Sequence, residues 1–266
     1  MHNELLAGNE LGRAIRAVNR TLLEEFNKIA PIAGTTMLDA GGSIQGFALE
    51  AASELGVATY EAATLSYVYW QSPLVEFKGD GGFIGRIRNM NAEKLDFPDE
   101  SFDRVLSSST FEHFLSPQLV LAEMHRVLRP GGSVVIHFEG AWSCSFGYHL
   151  LQYGAQINEL VPPWAHLFLS ESQMEAVLME HWPAAAPLSV KDATQWIYHS
   201  NELNRIGIRD LKRYFETSPL KLEWILPLAD TRESELAPIA QYVSRFLPYT
   251  KEELLTRGFS AHLRKL

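Results

Sequence analysis

The sequence predicts an α/β fold, a Rossmann-like, doubly wound, mainly parallel sheet of seven strands in a single domain spanning 1–266. Short strand-like segments alternate with helix-length amphipathic segments, which is typical of parallel sheets. The segments TTMLDA and GGSVVIHF are short apolar runs, as expected for strands buried on both faces. The chain has 266 residues, 46% of them hydrophobic, which is enough for one large core.

The predicted elements follow in order along the chain. Apolar residues at helical spacing in 4–29 predict one or two helices, so 1–30 is an N-terminal helical segment. TTMLDA is the first strand, and the helix FALEAASELG closes at Gly56, where a left-handed cap needs no side chain. The next strands are VATYE, GFIGRIRNM, FDRVLSSS and, after the helix PQLVLAEMHRVL, GGSVVIHF.

Residues 139–200 interrupt this alternation with a segment rich in aromatic residues and histidine. We expect an insertion after strand five that covers the mouth of the sheet and contacts a substrate. Regular order resumes with IGIRDLKRYFETS as a helix, LKLEWILPL as a strand and FSAHLRKL as the closing strand.

Composition excludes several classes of function. The formal net charge of −9 argues against a nucleic-acid partner, because neutralising phosphates requires a basic face. No apolar run approaches the ~20 residues of a membrane span. The N-terminus lacks a signal-peptide pattern, and Cys144 is the only cysteine, so we expect a reduced, cytoplasmic protein. The sequence leaves open whether the protein forms a homodimer.

The turn after the first strand, MLDAGGSIQG, has the position of a cofactor loop. Gly41, Ser43 and Gly46 match G-x-G-x-x-G except for the middle glycine, which lets the backbone approach a pyrophosphate. Ser43 therefore disfavours a dinucleotide. S-adenosylmethionine carries no phosphate, and backbone amides at a helix N-terminus need only face its carboxylate.

An acidic residue also follows the loop at a suitable distance. Glu61 ends VATYE, 22 residues after Asp39, where a carboxylate can accept hydrogen bonds from both ribose hydroxyls. The alternative is a solvated glutamate at a strand end.

The stretch from Asn91 to Phe138 resembles the class I S-adenosylmethionine-dependent methyltransferases, most of all the branch that methylates small molecules such as quinones, sterols, sugars and secondary metabolites. Three landmarks carry the likeness in order: DFPDESFDRV, FEHF and LRPGG. The resemblance implies the cofactor S-adenosylmethionine, an antiparallel last strand, and a small-molecule acceptor with an apolar or aromatic-contacting part.

The resemblance also implies roles for individual residues. Those that would bind the cofactor are Asp39, Gly41, Gly42 and Ser43 in the loop, Glu61 at the ribose, Asn91 and Ala92 along the adenine, and Ser108 at the cofactor's edge. The chain departs from the usual D-x-G-x-G-x-G at Ser43 and Gln45, and Asn91 replaces the commoner aspartate.

Methyl transfer to a hydroxyl benefits from a general base, and we favour O-methylation. The candidate bases are His113, His149 and His166. The alternative for His113 is a structural pair with Glu112 that fixes the loop, and the others can equally be satisfied core histidines. No histidine or cysteine spacing indicates a metal site.

The aromatic residues of the insertion suggest an apolar pocket wall, to which we assign Trp142, Tyr148 and Trp164. Each of them can instead belong to the core. Two other readings of the whole chain stay open: a non-catalytic relative that has lost the cofactor and serves as a scaffold or binding subunit, and, less favoured, a nicotinamide dehydrogenase.

Overall fold

A computed structural model of the protein describes residues 10–42, 47–65 and 74–266. Within them, eight strands form one sheet in the order β3-β4-β2-β1-β5-β6-β8-β7. The strands are β1 (Thr36–Ala40), β2 (Thr59–Thr64), β3 (Leu74–Lys78), β4 (Ile84–Asn89), β5 (Phe102–Ser108), β6 (Leu128–Glu139), β7 (Lys221–Ala229) and β8 (Thr256–Arg264).

The helices lie between these strands and in the segment after β6. They are α1 (Glu10–Ile29), α2 (Phe47–Glu54), α3 (Pro117–Val127), α4 (Ala155–Asn158), α5 (Glu171–Met179), α6 (Val190–His199), α7 (Ile208–Glu216), α8 (Glu233–Val243) and α9 (Lys251–Leu255). No helix within the described ranges is long and apolar enough to cross a membrane.

The doubly wound parallel sheet is confirmed. Strands β4, β2, β1, β5 and β6 run parallel, and β1 lies between β2 and β5, so the strand order reverses beside β1. Ligands of such sheets bind outside the carboxyl ends of the strands at this point. The closing strand β8 is antiparallel to both β6 and β7, as expected.

The sheet has one strand more than the seven expected. The additional strand, β3, pairs antiparallel with β4 at the edge of the sheet. Its side chains are largely exposed, including Phe77 at 43%. An edge strand with one partner and little burial carries no strong apolar pattern, which is why the sequence did not reveal it.

Each face of the sheet buries an apolar layer. On one face, Phe111, Phe138 and Phe215 form an aromatic core in which the Phe111 and Phe215 ring centroids are 4.9 Å apart. On the other face, Phe26 of α1 packs with residues of α2 and β1. The Phe111 ring fixes the chain immediately after β5, where functional side chains are expected.

The segment between β6 and α7 has an apolar cluster of its own, which includes Tyr148, Met174 and Ile197. Helices α5 and α6 both begin with a capping box, in which a serine and the third helical residue satisfy each other's backbone N–H groups. Arg205 then donates to the backbone carbonyls of Ile197 and Ser200, which holds the chain where it returns to the sheet.

Candidate active site

The carboxyl ends of β1 and β5 meet at the switch point of the sheet. Gly41 has φ +89°, and a Cβ atom there would lie 2.6 Å from Oγ1 of Thr110, in the turn after β5. A Cβ on Gly42 would lie 2.8 Å from that of Ala62 in β2. Both positions therefore require glycine. Ser43, like Gln45, lies outside the described residues.

Asp39 holds two strands together beneath this turn. Its carboxylate is buried and accepts a hydrogen bond of 2.7 Å from the hydroxyl of Tyr60 in β2. Burial, with Asp39 beside it, raises the pKa of Tyr60 well above its usual value, so the phenol stays a donor. Asp39 thus fixes the strand from which the glycine turn starts.

Glu61 does not end β2, contrary to the expectation from the sequence. The strand continues for three residues to Thr64. Oε1 of Glu61 accepts from Nη1 of Arg86 at 2.8 Å, and Oε2 accepts from Nε of Arg88 at 2.7 Å. Both arginines belong to β4, and the Glu61 side chain is only 7% exposed. A solvated strand-end glutamate is therefore ruled out.

The two ion pairs bear on the ribose role. A carboxylate has about four acceptor positions, so Arg86 and Arg88 do not saturate it. They do fix its direction, because both oxygens point along the sheet toward β4. The residue that actually lies at the end of β2 is Thr64, which is buried. Ribose binding by Glu61 stays a prediction.

The predicted adenine and edge residues follow β4 and β5. Oδ1 of Asn91 accepts from the backbone N–H of Glu93 at 2.9 Å, which closes a tight turn. Ala92 is 3% exposed within that turn, and Ser108 is the last residue of β5. Asn91 follows β4 and Ser108 ends β5, so both lie at the carboxyl edge of the parallel strands, as Gly41 does.

His113 and His149 come together beyond β5 and β6, with ring centroids 5.1 Å apart. Nδ1 of His113 lies 2.6 Å from the backbone oxygen of Glu202, and Nε2 of His149 lies 2.6 Å from that of Gly140. Since a carbonyl only accepts, each of these nitrogens carries the hydrogen. Burial, with His113 adding to it, lowers the pKa of His149 to about 4, so this ring is neutral at pH 7.

His166 lies farther along the insertion that also contains His149. Its Nε2 donates to the backbone oxygen of Trp142 at 2.7 Å, and its ring packs edge-on against those of Trp142 and Tyr148. Burial lowers its pKa to about 4. His166 is 3% exposed and its Nδ1 has no hydrogen-bond partner among the described residues, so its geometry favours a core histidine over a base that meets a substrate.

The three predicted pocket aromatics have different surroundings. Trp164 is completely buried beside Leu236 and Leu255, and its Nε1 donates to the backbone oxygen of Leu254 at 3.2 Å. It is a core residue, because no surface is left for a substrate. Tyr148 is 3% exposed and donates to the backbone oxygen of Asn158.

Trp142 is half-buried. The guanidinium of Arg205 lies 5.7 Å from its ring centroid, a cation–π distance. Of the three aromatics, Trp142 is the one that a ligand can still reach.

Glu112 is the site residue that the sequence reasoning did not select. It lies in a turn of 3₁₀ helix, Phe111–His113, directly after β5, and is 6% exposed. Burial raises its pKa to about 7, while the neighbouring His113 opposes that rise. The available signal was a carboxylate between two phenylalanines in FEHF, since such a residue is rarely buried without a reason.

No group of three or more His, Cys, Asp or Glu side chains that could hold a metal occurs in the part of the chain that the structure describes. The titratable side chains gathered where β5 and β6 end are two acids and two histidines: Glu112, Glu139, His113 and His149. Burial raises the pKa of Glu112 to about 7, so this carboxyl can hold a proton near neutral pH, which suits chemistry at a group that loses a proton.

Residues 38–136 match the family model described as a methyltransferase domain. The matched range runs from β1 to β6 and contains the glycine turn, the Asn91 turn and Glu112. This part of the chain is a class I methyltransferase domain, of the S-adenosylmethionine-dependent family. The landmarks on which the sequence comparison relied all lie within the methyltransferase domain.

Two curated relatives with similar sequences are also methyltransferases by name. The chain is 34% identical over 122 residues to an uncharacterized methyltransferase of Mycobacterium marinum, covering 44% of each protein. It is 46% identical over 57 residues to a phosphatidylethanolamine N-methyltransferase of Cereibacter sphaeroides, covering 21% of this chain and 28% of that protein. The chain thus matches less than half the length of either relative.

Solved structures extend the likeness in fold beyond the methyltransferase domain. A geranyl diphosphate methyltransferase in complex with S-adenosylmethionine superposes with a TM-score of 0.53 at 18% identity, over 99% of this chain and 90% of that one. At this identity the likeness concerns the fold alone.

The residues present fit an adenosine-bearing sulfonium cofactor at the glycine turn. Gly41 and Gly42 leave no room for side chains and bring backbone to the carboxyl edge, while the Asn91 turn lies two strands away in the same parallel sheet. The fit is incomplete at the ribose, because the carboxylate of Glu61 already binds two arginines.

Proposed function

We propose that the protein is an S-adenosylmethionine-dependent methyltransferase that acts on a small molecule, with oxygen as the favoured acceptor atom. One observation supports the preference for oxygen above all. Glu112, His113 and His149 gather at the carboxyl ends of β5 and β6, beside the domain's cofactor turn. An acceptor hydroxyl must lose a proton during methylation, and a positioned base contributes about 10²–10⁴-fold to such a step.

The cofactor supplies a methyl group activated on a positively charged sulfur. The residues that would hold it are Gly41 and Gly42 through their backbone, Asn91 and Ala92 at the adenine, and Ser108 at the edge. Ser43 would contribute from the loop outside the described residues. The protein's task is to align the acceptor and exclude water, and such positioning can supply about 7–11 kcal/mol of the barrier.

His113 is the best placed of the predicted bases. Its Nδ1–H is bound by the backbone oxygen of Glu202, which leaves the lone pair on Nε2, and its side chain is 37% exposed. His149 is neutral at pH 7, half-buried and in ring contact with His113, so it orients that ring rather than taking the proton itself.

The acceptor is proposed to be a small molecule with an apolar or aromatic-contacting part. The insertion, 139–200, would cover it, and Trp142 would contact it. The proposal includes neither a nucleic-acid partner nor a metal, and it leaves a homodimer open. A cytoplasmic setting is consistent with Cys144, since burial raises the pKa of its thiol to about 12 and leaves it unreactive.

Two measurements test this proposal. Calorimetric titration with S-adenosylmethionine should give saturable binding in the range of typical enzyme substrates, about 1 μM to 1 mM. Production of S-adenosylhomocysteine should then be followed with a panel of phenols, sugar alcohols and amines of similar size. Turnover of hydroxyl compounds supports oxygen, and turnover of amines alone contradicts it. Absence of heat at millimolar cofactor would support the scaffold alternative.

A further inference from the structure

One oxygen of the buried Glu112 carboxyl group lacks a hydrogen-bond partner among the described residues. Its side chain is 6% exposed, and within the described part of the chain Oε2 has no partner. An ionised carboxylate so placed costs several kcal/mol, roughly, unless it is paired or neutralised. Such a group is expected where a proton must be held, since burial favours its neutral form.

His113 faces this carboxyl with its free lone pair. The backbone oxygen of Glu202 fixes the hydrogen on Nδ1, so Nε2 is the acceptor nitrogen of the neutral ring. Nε2 lies 3.8 Å from Oε1 of Glu112. A side-chain movement of about 1 Å would bring the two atoms within hydrogen-bond distance. One bridging water would connect them without that movement.

We propose that Glu112 and His113 work as one proton-accepting pair, in which Nε2 of His113 takes a proton from the acceptor and passes it to the buried carboxylate of Glu112. The inference rests on the proposed methyl transfer. The acceptor O–H bond breaks as the proton moves to Nε2 and then to Oε1. The oxygen's electron pair forms the new O–CH₃ bond, and the electron pair of the methyl–sulfur bond stays on sulfur.

The charges around the pair suit this task. Burial raises the pKa of Glu112 to about 7, His113 opposes the rise, and Glu139 at the end of β6 adds to it. Glu139 is itself paired with Arg257 of β8 at 2.6 Å. His149, facing His113 from the insertion, is neutral at pH 7. Glu112 is therefore partly ionised at neutral pH, and can take up a proton there without a large penalty.

The chain contains a matched pair without these surroundings. Glu180 and His181 are also adjacent, with Oε1 and Nε2 3.8 Å apart, but their side chains are 74% and 71% exposed. Water screens this pair, so the electrostatic interaction between its two side chains is weak. The substitution Glu180→Gln is thus a control that repeats the chemistry of Glu112→Gln at the surface.

The first experiment needs neither cofactor nor acceptor. Carboxyl carbons of ¹³C-labelled glutamate are titrated by NMR, and Glu112→Gln identifies the Glu112 signal. We expect that signal to titrate near pH 7 in the parent protein and at higher pH in His113→Gln, with Glu180→Gln without effect. The proposed pair would be overturned if Glu112 titrated at the acidic pH of surface glutamates. It would also be overturned if His113→Gln left the Glu112 midpoint unchanged.

The second experiment uses the active enzyme. Glu112→Gln should lower kcat by about 10²-fold with cofactor affinity unchanged, and Glu112→Asp should restore part of it. The double variant with His113→Gln should be no slower than His113→Gln alone, because the two residues act as a unit. If the losses of kcat in the two single variants multiplied in the double variant, the two residues would act independently and the proposed pair would be overturned.

Thermal unfolding of each variant separates loss of fold from loss of chemistry. If the parent protein transfers no methyl group, the proposed function fails, whereas the titration still decides whether Glu112 and His113 are coupled.

Discussion

Nε of Arg88 donates to Oε2 of Glu61 at 2.7 Å, and this contact ties β4 to β2 below the carboxyl edge of the sheet. Arg86 holds the other oxygen of the same carboxylate and also binds Glu76 of the edge strand at 2.9 Å. One buried acid thus joins three neighbouring strands. Its first role in this structure is to assemble the sheet.

Glu61→Gln should destabilise the fold. Removing one partner of a buried ion pair costs about 3–5 kcal/mol, which we reduce to about 2 kcal/mol because Arg86 and Arg88 are partly exposed to water. Glu76→Gln, on the exposed side of the same network, is the control and should cost clearly less stability, because water screens its ion pair. Urea unfolding measures both. Unchanged stability together with weaker cofactor binding would instead support the ribose role.

His166 should make the stability dependent on pH. Its folded pKa of about 4 lies below the usual histidine pKa of 6.5, so the unfolded chain binds a proton first. Its contribution is fully present above pH 6.5 and is lost as the pH falls from 6.5 to about 4. His166→Gln should flatten the pH dependence of unfolding free energy in that window. An equal slope in both proteins would show that the pKa of His166 is the same in the folded and unfolded states.

Gly41→Ala should cost more stability than a left-handed glycine usually does. The φ of +89° adds roughly 1 kcal/mol of strain for any side chain, and the new Cβ would also meet Thr110 at 2.6 Å. Gly131→Ala is the matched control, since Gly131 has φ +77° and a Cβ added there would meet nothing within 4 Å. We expect Gly41→Ala to lose at least about 1 kcal/mol more by thermal or urea unfolding. If the two variants lost equal stability, the turn at Thr110 would be able to move away from the added methyl group at no cost.

Trp164 and Trp142 should separate stability from substrate binding. Trp164→Phe removes the hydrogen bond to Leu254 from a closed core and should cost about 1–3 kcal/mol, with the acceptor KM unchanged. Trp142→Phe, at a partly accessible ring, should change the acceptor KM more than the stability. Steady-state kinetics and thermal unfolding on both variants give the comparison. If Trp164→Phe raised the acceptor KM and Trp142→Phe did not, Trp164 would line the substrate pocket after all.

The edge strand β3 is a strand that the local pattern of apolar residues does not predict. The parallel strands were predictable because burial on both faces demands continuous apolar segments, as in TMLDA of β1. β3 has one neighbour, and its side chains are largely exposed, so its sequence carries little constraint. Its pairing with β4 is decided by register, including Glu76 opposite Arg86.

The residues of the candidate site also include some whose positions the sequence predicts and some whose positions it does not. The glycine turn, the Asn91 turn and the histidine after β5 could be placed from motifs, since their positions follow from strand ends. Glu61 could not, because the end of β2 depends on its pairing with β4 and β1 rather than on local residues.

The sequence by itself determined the parallel sheet, the methyltransferase landmarks and the edge at which the site lies, because periodicity and strand order are properties of the chain. Only the tertiary structure decided which carboxylate binds neighbouring arginines and which is left buried beside an imidazole. Glu61 and Glu112 are both acids near strand ends in the sequence. Their difference lies in burial and partners, which are created by residues distant along the chain.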